Sequence, residues 1–224
     1  IGKAVARQAN EVLAADLRLR SQAPVPDEWR ELADDYSLQT ADTMSFPSVV
    51  FYGDDNALST IKAVSELYPL RGAVRISDQM FGVQHEVDGI PAPGEVWADG
   101  ALLARVGADV GDLLDVGELQ LKVSAVLTYR PDQSIGFASL APTVVMNIAD
   151  VDSSGLVGEG SRVAYALLVA GDESDVARFN EAIQEILPDE IRVRSQEESS
   201  ERAYNAADRA QRFLSLTAVI SLLL

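Results

Sequence analysis

A single histidine limits the acid–base chemistry available to this 224-residue chain. His85 lies in a turn-rich segment, and Ser77 is a nearby serine that His85 could activate as a nucleophile. The chain contains no G-x-S-x-G elbow, no G-x-x-x-x-G-K phosphate loop and no G-x-G-x-x-G after a predicted strand. Each of these motifs is mechanically required in its enzyme class. The sequence therefore does not favour catalysis, and a hydrolase using His85 and Ser77 is kept as an alternative.

Paired acidic residues are the second candidate for catalysis. Asp34-Asp35 and Asp54-Asp55 each place two carboxylates side by side, and such pairs can serve as general acid and base. Adjacent carboxylates beside turn signals are commonly solvated. We interpret both pairs as solvent-exposed residues with no catalytic role, so no catalytic residue is assigned.

One segment partly matches a metal-binding motif. Asp150, Asp152 and Ser154 fit the first half of a calcium-binding loop, but the twelfth position, which requires a bidentate glutamate, is Ser161. A turn after a strand explains the same residues, and we favour that interpretation. Cation binding by Asp150 and Asp152 is left open. The absence of cysteine and the single histidine exclude thiolate and multi-histidine sites, so we expect no metal site and no cofactor.

Met80 and Phe81 are bulky apolar residues in a polar loop. They could contact a membrane, a lipid-like ligand or a protein partner, or they could simply anchor the loop to the core. We name them as candidate partner or ligand contacts.

The composition excludes several classes of function. Hydrophobic residues make up 47% of the chain and charged residues 24%, which is typical of a folded globular protein. The net charge of −17 and the lack of any basic block argue against nucleic acid as a partner, because binding to phosphates needs clustered Lys and Arg. We interpret the acidity as a solvated surface.

Alternating and helical hydrophobic patterns predict the elements that would position these residues. Strands are predicted near 15–21, 38–55 (broken at Pro47), 143–151, 162–171 and 191–195, and helices near 26–36 and 175–187. Residues 95–127 read as a strand, a short helix, a Gly-Asp turn and two strands on either side of Gly117-Glu118. Residues 56–72 fit either a helix or a strand, and residues 78–94 read as a long loop. The succession of strand, helix and strand predicts an α/β unit formed by both flanks of a small, acidic, β-rich insertion.

Both ends of the chain have apolar helical patterns. Residues 1–15 form an amphipathic pattern with no start signal, and residues 197–224 begin with a capping box at Ser195 and end in an uncharged run from Phe213. Such helices could pack on the core of a soluble protein. We favour the alternative that 1–15 ends a first transmembrane or stalk helix and that 197–224 forms a stalk helix and the start of a second transmembrane helix.

Five segments in order resemble the large extracytoplasmic domain of FtsX-like and MacB-like ABC-transporter permeases, and within these the YbbP-type permeases. The segments are AADLRLRS, TADTMSFPSVVF, LSTIKAVSELYPLRG, PAPGEVWADGALLARVGADVGDLLDVG and FASLAPTVVMNIADVDSSGL. The resemblance implies an α+β, two-lobed fold. A porter-like lobe would comprise residues 16–84 and 131–196, and a sabre-like β-rich lobe would comprise residues 85–130.

The resemblance also implies a function and a location. The domain would lie on the periplasmic side of the bacterial inner membrane, between two transmembrane helices. The permease would form a homodimer, pair with a separate ATP-binding subunit, and transmit ATP-driven motion for export or extraction of a hydrophobic or lipid-linked substrate. A periplasmic partner protein is possible in such a system, and the domain itself is expected to have no enzymatic activity. The alternatives are the soluble periplasmic hydrolase and a passive adhesion or scaffold module.

Overall fold

A computed structural model describes residues 14–133, 141–158, 160–187 and 191–195. Three α-helices are present in these ranges: α1 (Asp27–Asp35), α2 (Gly100–Val106) and α3 (Glu173–Ile186). The strands are β1 (Leu17–Ser21), β2 (Gln39–Tyr52), β3 (Asp55–Val64), β4 (Val74–Ser77), β5 (His85–Val87), β6 (Glu95–Asp99), β7 (Leu113–Val116), β8 (Leu119–Tyr129), β9 (Thr143–Asn147), β10 (Ala164–Ala170) and β11 (Arg192–Ser195). Two short 3₁₀ helices cover Ile148–Asp150 and Asp152–Ser154.

All described strands belong to one mixed sheet with the order β11-β1-β10-β2-β3-β9-β6-β8-β4-β5. The remaining strand, β7, pairs with both β2 and β8, so that β2, β3, β9, β6, β8 and β7 form a closed ring. The pairs β3–β9 and β6–β8 are parallel, and the other pairs are antiparallel. The ring takes strands from both of the predicted lobes, whose boundaries stay a prediction.

The period-two alternation of the ring strands separates an inner from an outer face. Val50, Ile61, Leu114 and Met146 are fully buried inside the ring, and Leu102 of α2 packs into the same cluster. A second cluster covers part of the outer face around Tyr68, Trp97 and Val145. A third lies between β1, β10 and the helices α1 and α3.

The helices follow local rules of spacing and capping. In α1 the buried residues are Trp29 and Ala33, and in α3 they are Phe179 and Ile183, so each helix faces the sheet with an i, i+4 pair. In α2 the Asp99 side chain accepts a hydrogen bond from the Ala101 amide at 2.8 Å and caps the first turn. This hydrogen bond satisfies one of the free amide groups at the start of the helix.

The predicted break at Pro47 is wrong, because β2 runs through this residue without interruption. Pro47 lies opposite Thr60 of β3, and the Thr60 amide donates to the Pro142 carbonyl on its other side. Pro47 and Thr60 are therefore a non-hydrogen-bonded pair, and the Pro47 nitrogen faces away from β3. On that side the pairing with β10 ends at Ser45 and the pairing with β7 begins at Val50. The missing N–H of proline thus costs no ladder bond.

The predicted mixed α and β architecture is confirmed, and the sheet dominates its core. The ambiguous segment 56–72 contains β3 from its second residue onward and no helix, and the predicted loop 78–94 contains the short strand β5. The predicted terminal helices lie outside the described residues, except for Ala14 and Ala15, which form a turn and a bend. Within the described ranges, none of the helices is both long and apolar enough to cross a membrane.

Candidate functional site

The loop between β4 and β5 holds the two residues named as candidate contacts. The Gln79 carbonyl accepts hydrogen bonds from the Ser77 hydroxyl at 2.9 Å and from the Gly82 amide at 3.1 Å. These bonds close a tight turn around Met80 and Phe81. The turn fixes the two side chains in different environments.

Met80 and Phe81 therefore differ in burial. Met80 is half-buried and packs against the core cluster inside the strand ring. Phe81 is 98% exposed and has a φ of +59°, a left-handed conformation that is rare for a bulky side chain. Val83 is also almost fully exposed. The loop thus presents an exposed apolar pair, Phe81 and Val83, while Met80 anchors it.

His85 and Ser77 do not form a nucleophile–base pair. His85 is exposed on β5, where it lies opposite Ile76 of β4. Ser77 is buried, and its hydroxyl donates to the Gln79 carbonyl. No hydrogen bond joins these two side chains, both of which are described. The geometry gives no support to the hydrolase alternative.

The acidic candidates have structural roles or are exposed. Asp34-Asp35 and Asp54-Asp55 are exposed, in agreement with their interpretation as solvated residues. Asp150 accepts a hydrogen bond from the Gly94 amide at 2.8 Å and lies in a 3₁₀ helix rather than a calcium loop. Among the residues that the structure describes, no group of three or more His, Cys, Asp or Glu side chains could hold a metal ion.

A buried cluster of charges lies on the outer face of the sheet, and the sequence did not reveal it. Asp132 is 1% exposed and accepts hydrogen bonds from Lys62 at 2.5 Å, from the Tyr68 hydroxyl at 2.6 Å and from Arg130 at 2.6 Å. Arg18 of β1 lies 3.8 Å from the same carboxylate. We call these five residues the Asp132 cluster. It joins β1, β3, the β3–β4 connection and the end of β8.

Burial and mutual charge shift the pKa values in the Asp132 cluster. Burial, reinforced by Arg18 and Arg130, lowers the pKa of Lys62 from 10.5 to about 8 despite the attraction of Asp132. The cations hold the pKa of Asp132 well below its ordinary value, against the effect of burial. Burial and the Asp132 charge raise the pKa of Tyr68 well above 10. Asp132 is therefore ionised at every physiological pH.

Exposed apolar residues also cover the outer face at the far end of the β2–β3 hairpin. Val49 and Leu58 are register partners across the hairpin, and Phe51 follows Val49 on the same face. Leu113 of β7 lies on this face two residues from Asp115, the partner of Phe51. The exposed fractions of these four side chains are 39% for Val49, 44% for Phe51, 56% for Leu58 and 51% for Leu113. We call these four residues the hairpin face.

The strands that border the undescribed ends of the chain are neighbours. β1 and β11 pair antiparallel at one edge of the sheet, and Leu17 at the start of β1 lies opposite Ser195 at the end of β11. The chain therefore enters and leaves the described sheet at the same corner.

Comparison with known proteins finds a similarity to one ABC-transporter permease. The chain is 31% identical over 222 residues to the ABC transporter permease YbbP of Escherichia coli (strain K12), an alignment that covers 99% of this chain and 27% of that protein. The chain thus spans about a quarter of the length of that relative. No protein-family model matches the chain.

Solved structures show the same fold. The periplasmic region of MacB from Actinobacillus actinomycetemcomitans superposes with a TM-score of 0.53 at 11% identity, over 88% of this chain and 96% of that one. The extracellular domain of the noncanonic ABC-type transporter YknZ from Gram-positive bacteria superposes with a TM-score of 0.51 at 8% identity, over 80% and 100% of the two chains. The predicted resemblance to MacB-like permease domains is confirmed.

Proposed function

We propose that this chain is the extracytoplasmic domain of an ABC-transporter permease subunit and transmits ATP-driven motion to the periplasm. Almost the whole of this chain is similar to a part of such a permease. The observation that carries the proposal is this similarity together with the MacB-like fold. In this proposal the domain lies on the periplasmic side of the bacterial inner membrane. ATP hydrolysis takes place in a separate ATP-binding subunit, and a second permease copy completes a homodimer.

The position of the first and last described strands supports this arrangement. In a domain that lies between two membrane helices, the first and last residues must be close together. The register pair Leu17–Ser195 meets that requirement, because it puts both flanking segments at one corner of the sheet. A displacement of those segments would act on β1 and β11 and reach the other strands through one continuous sheet. We propose that this is the route by which motion reaches the periplasmic end.

The exposed apolar residues support a hydrophobic or lipid-linked substrate, or a periplasmic protein partner. Phe81 keeps a left-handed backbone conformation, which costs of order 1 kcal/mol, and yet its side chain makes no core contact. A bulky residue in that state is better explained by an external contact than by packing. We propose Phe81 as the contact and Met80 as the residue that anchors its loop.

Distance measurements on the full-length permease test the proposal. Because the chain contains no cysteine, Asp54→Cys in the β2–β3 turn introduces one spin-labelling site per copy if the rest of the permease is also cysteine-free. The labelled permease and its ATP-binding subunit are placed in nanodiscs, and the distance between the two labels is measured without nucleotide and with trapped ATP.

We expect the label-to-label distance to change with ATP and to stay constant when the ATP-binding subunit carries an inactivating substitution. A distance that never responds to nucleotide would contradict motion transmission and favour the passive scaffold alternative. The absence of any interaction between labels would contradict the homodimer.

A further inference from the structure

The Asp132 cluster contains more positive than negative charge. Three cations, Arg18, Lys62 and Arg130, surround the single carboxylate of Asp132. Their side chains are only 17%, 3% and 11% exposed. The cluster therefore holds two uncompensated positive charges in a largely buried position, although the whole chain has a net charge of −17. Unpaired charges removed from water are strongly disfavoured.

Among the described residues, two acidic side chains on or next to the neighbouring strands already bind other arginines. Asp16, next to β1, accepts two hydrogen bonds from Arg71. Asp42, on β2, accepts two from Arg30. The segment that directly follows the cluster, residues 134–140, has the sequence SIGFASL and carries no charged residue.

One donor of the cluster has no acceptor. The Nε–H group of Arg18 is buried and donates to no partner in the part of the chain that the structure describes. Buried side-chain donors in folded proteins are almost always paired. The side chains of Arg18 and Arg130 are 17% and 11% exposed, so the cluster is not completely enclosed by the described residues. An unsatisfied donor and two excess charges thus occur at the same place.

We infer that the Asp132 cluster is a binding site for a phosphate-type oxyanion, free or as the headgroup of an amphiphile. The anion would accept a hydrogen bond from the free Nε–H of Arg18 and further hydrogen bonds from Arg130, since guanidinium groups match oxyanions in geometry and charge. Asp132 holds Lys62 and Arg130 in place, and the bound anion compensates the remaining charge. This inference does not depend on the proposed transport function.

Thermal unfolding with inorganic phosphate tests the site. The melting temperature of the full 224-residue chain is measured over a phosphate titration, with chloride replacing phosphate so that the ionic strength stays constant. Phosphate also stabilises proteins by exclusion from their surfaces. Two variants separate this general effect from binding: Arg18→Gln removes the free donor, and Arg105→Gln removes one exposed positive charge from α2.

We expect a saturable rise of the melting temperature in the parent chain and in Arg105→Gln. In Arg18→Gln we expect phosphate binding to weaken by roughly tenfold or more, the loss for one charge-assisted hydrogen bond. A non-saturable rise that is equal in all three proteins would overturn the site. Equilibrium dialysis of labelled phosphate against the parent chain gives a second test that needs no variant, and a stoichiometry near zero would also overturn it.

A further experiment shows whether the oxyanion is free phosphate or the headgroup of a lipid. Short-chain phosphatidic acid and short-chain phosphatidylcholine are compared with inorganic phosphate on the parent chain and on Arg18→Gln. Tighter, Arg18-dependent binding of phosphatidic acid than of phosphate assigns the site to a lipid headgroup, and equal binding assigns it to the free ion. Equal binding of phosphatidylcholine and phosphatidic acid with no dependence on Arg18 would contradict oxyanion recognition.

Discussion

Replacing Asp132 by asparagine tests whether one carboxylate holds the outer face of the sheet together. The asparagine side chain would have nearly the same shape but no charge. In the parent protein the carboxylate accepts hydrogen bonds from Lys62 at 2.5 Å, Tyr68 at 2.6 Å and Arg130 at 2.6 Å. All three partners are donors, so the amide NH₂ group of Asp132→Asn would face a donor in at least one of these positions. The substitution therefore removes the only negative charge of the cluster and leaves donors unsatisfied.

The expected loss of stability follows from the positive charges that stay buried without a carboxylate. Removing one partner of a buried ion pair costs about 3–5 kcal/mol, because the other charge stays buried without compensation. That is a large part of the roughly 5–15 kcal/mol by which a typical domain is stable. For a chain of this length the loss corresponds to a fall of the melting temperature on the order of 10 °C.

Urea unfolding, followed by tryptophan fluorescence, measures the loss directly. The chain has two tryptophans, and both are buried: Trp29 in α1 and Trp97 in β6. They belong to different core clusters, so a single transition in their combined fluorescence reports that both clusters unfold together. The free energy of unfolding of Asp132→Asn is compared with that of the parent chain at about pH 7.

Lys62→Met is the matched control at the other end of the same hydrogen bond. It removes a cation whose burial is costly, and it leaves Asp132 paired with Arg130 and Arg18. We expect it to cost about 1 kcal/mol or less, since an apolar replacement of similar length avoids the desolvation of the ammonium group. Equal losses in Asp132→Asn and Lys62→Met, or a loss below about 1 kcal/mol in Asp132→Asn, would refute the reasoning.

Three further predictions concern pH, backbone conformation and the exposed loop. The pKa of Lys62 is about 8 in the folded chain and 10.5 in the unfolded one. The unfolded state therefore binds more protons between these two pH values, and the free energy of unfolding should rise with pH from about 8 upward. Urea unfolding between about pH 7 and 9.5 should show this rise in the parent chain, and a rise of equal size in Lys62→Met would contradict the assignment. Gly117→Ala should cost at least about 2 kcal/mol, because φ is +64° and an added Cβ would lie 2.1 Å from the Ser154 carbonyl oxygen. The matched Gly53→Ala, with φ +57° and open space around its Cβ position, should cost about 1 kcal/mol, and urea unfolding that finds equal losses would rule out the steric explanation. Phe81→Ser should leave the melting temperature unchanged within about 1 °C, because the side chain is 98% exposed. The substitution should reduce the binding of partner or substrate to the full-length permease. A large loss of stability would show instead that Phe81 packs on the domain.

Local patterns in the sequence predicted most of the strands and helices. Alternation at Leu17 and Leu19 predicted β1, and the Gly117-Glu118 turn predicted the hairpin of β7 and β8. The break expected at Pro47 failed for a non-local reason. Whether a proline interrupts a strand depends on which neighbouring strand its nitrogen faces, and that is decided by the pairing of β2 with β10 and β7.

The Asp132 cluster could not be predicted, because its members are distant in the sequence. Asp132 lies 70 residues from Lys62 and 64 from Tyr68, and no motif links them. One signal was present: Lys62 is the only charged residue in the second half of β3, where Ile61, Ala63 and Val64 surround it. A lysine in that position must either reach solvent or find a buried partner. The sequence does not say which carboxylate provides it.

The same cluster bears on how motion could pass through the domain. Polar contacts fix the start of β1: Asp16 binds Arg71 and the Gly171 amide just before the strand, and Arg18 approaches Asp132 within it. Through these contacts β1 is tied to the β3–β4 connection and to the end of β8, beyond its ladder partners β10 and β11. A force applied to the segment before β1 would therefore load several parts of the sheet at once instead of pulling on β1 and its two ladder partners alone. A strand held only by ladder bonds would separate more easily, so these contacts are what the proposed transmission requires of this corner of the fold.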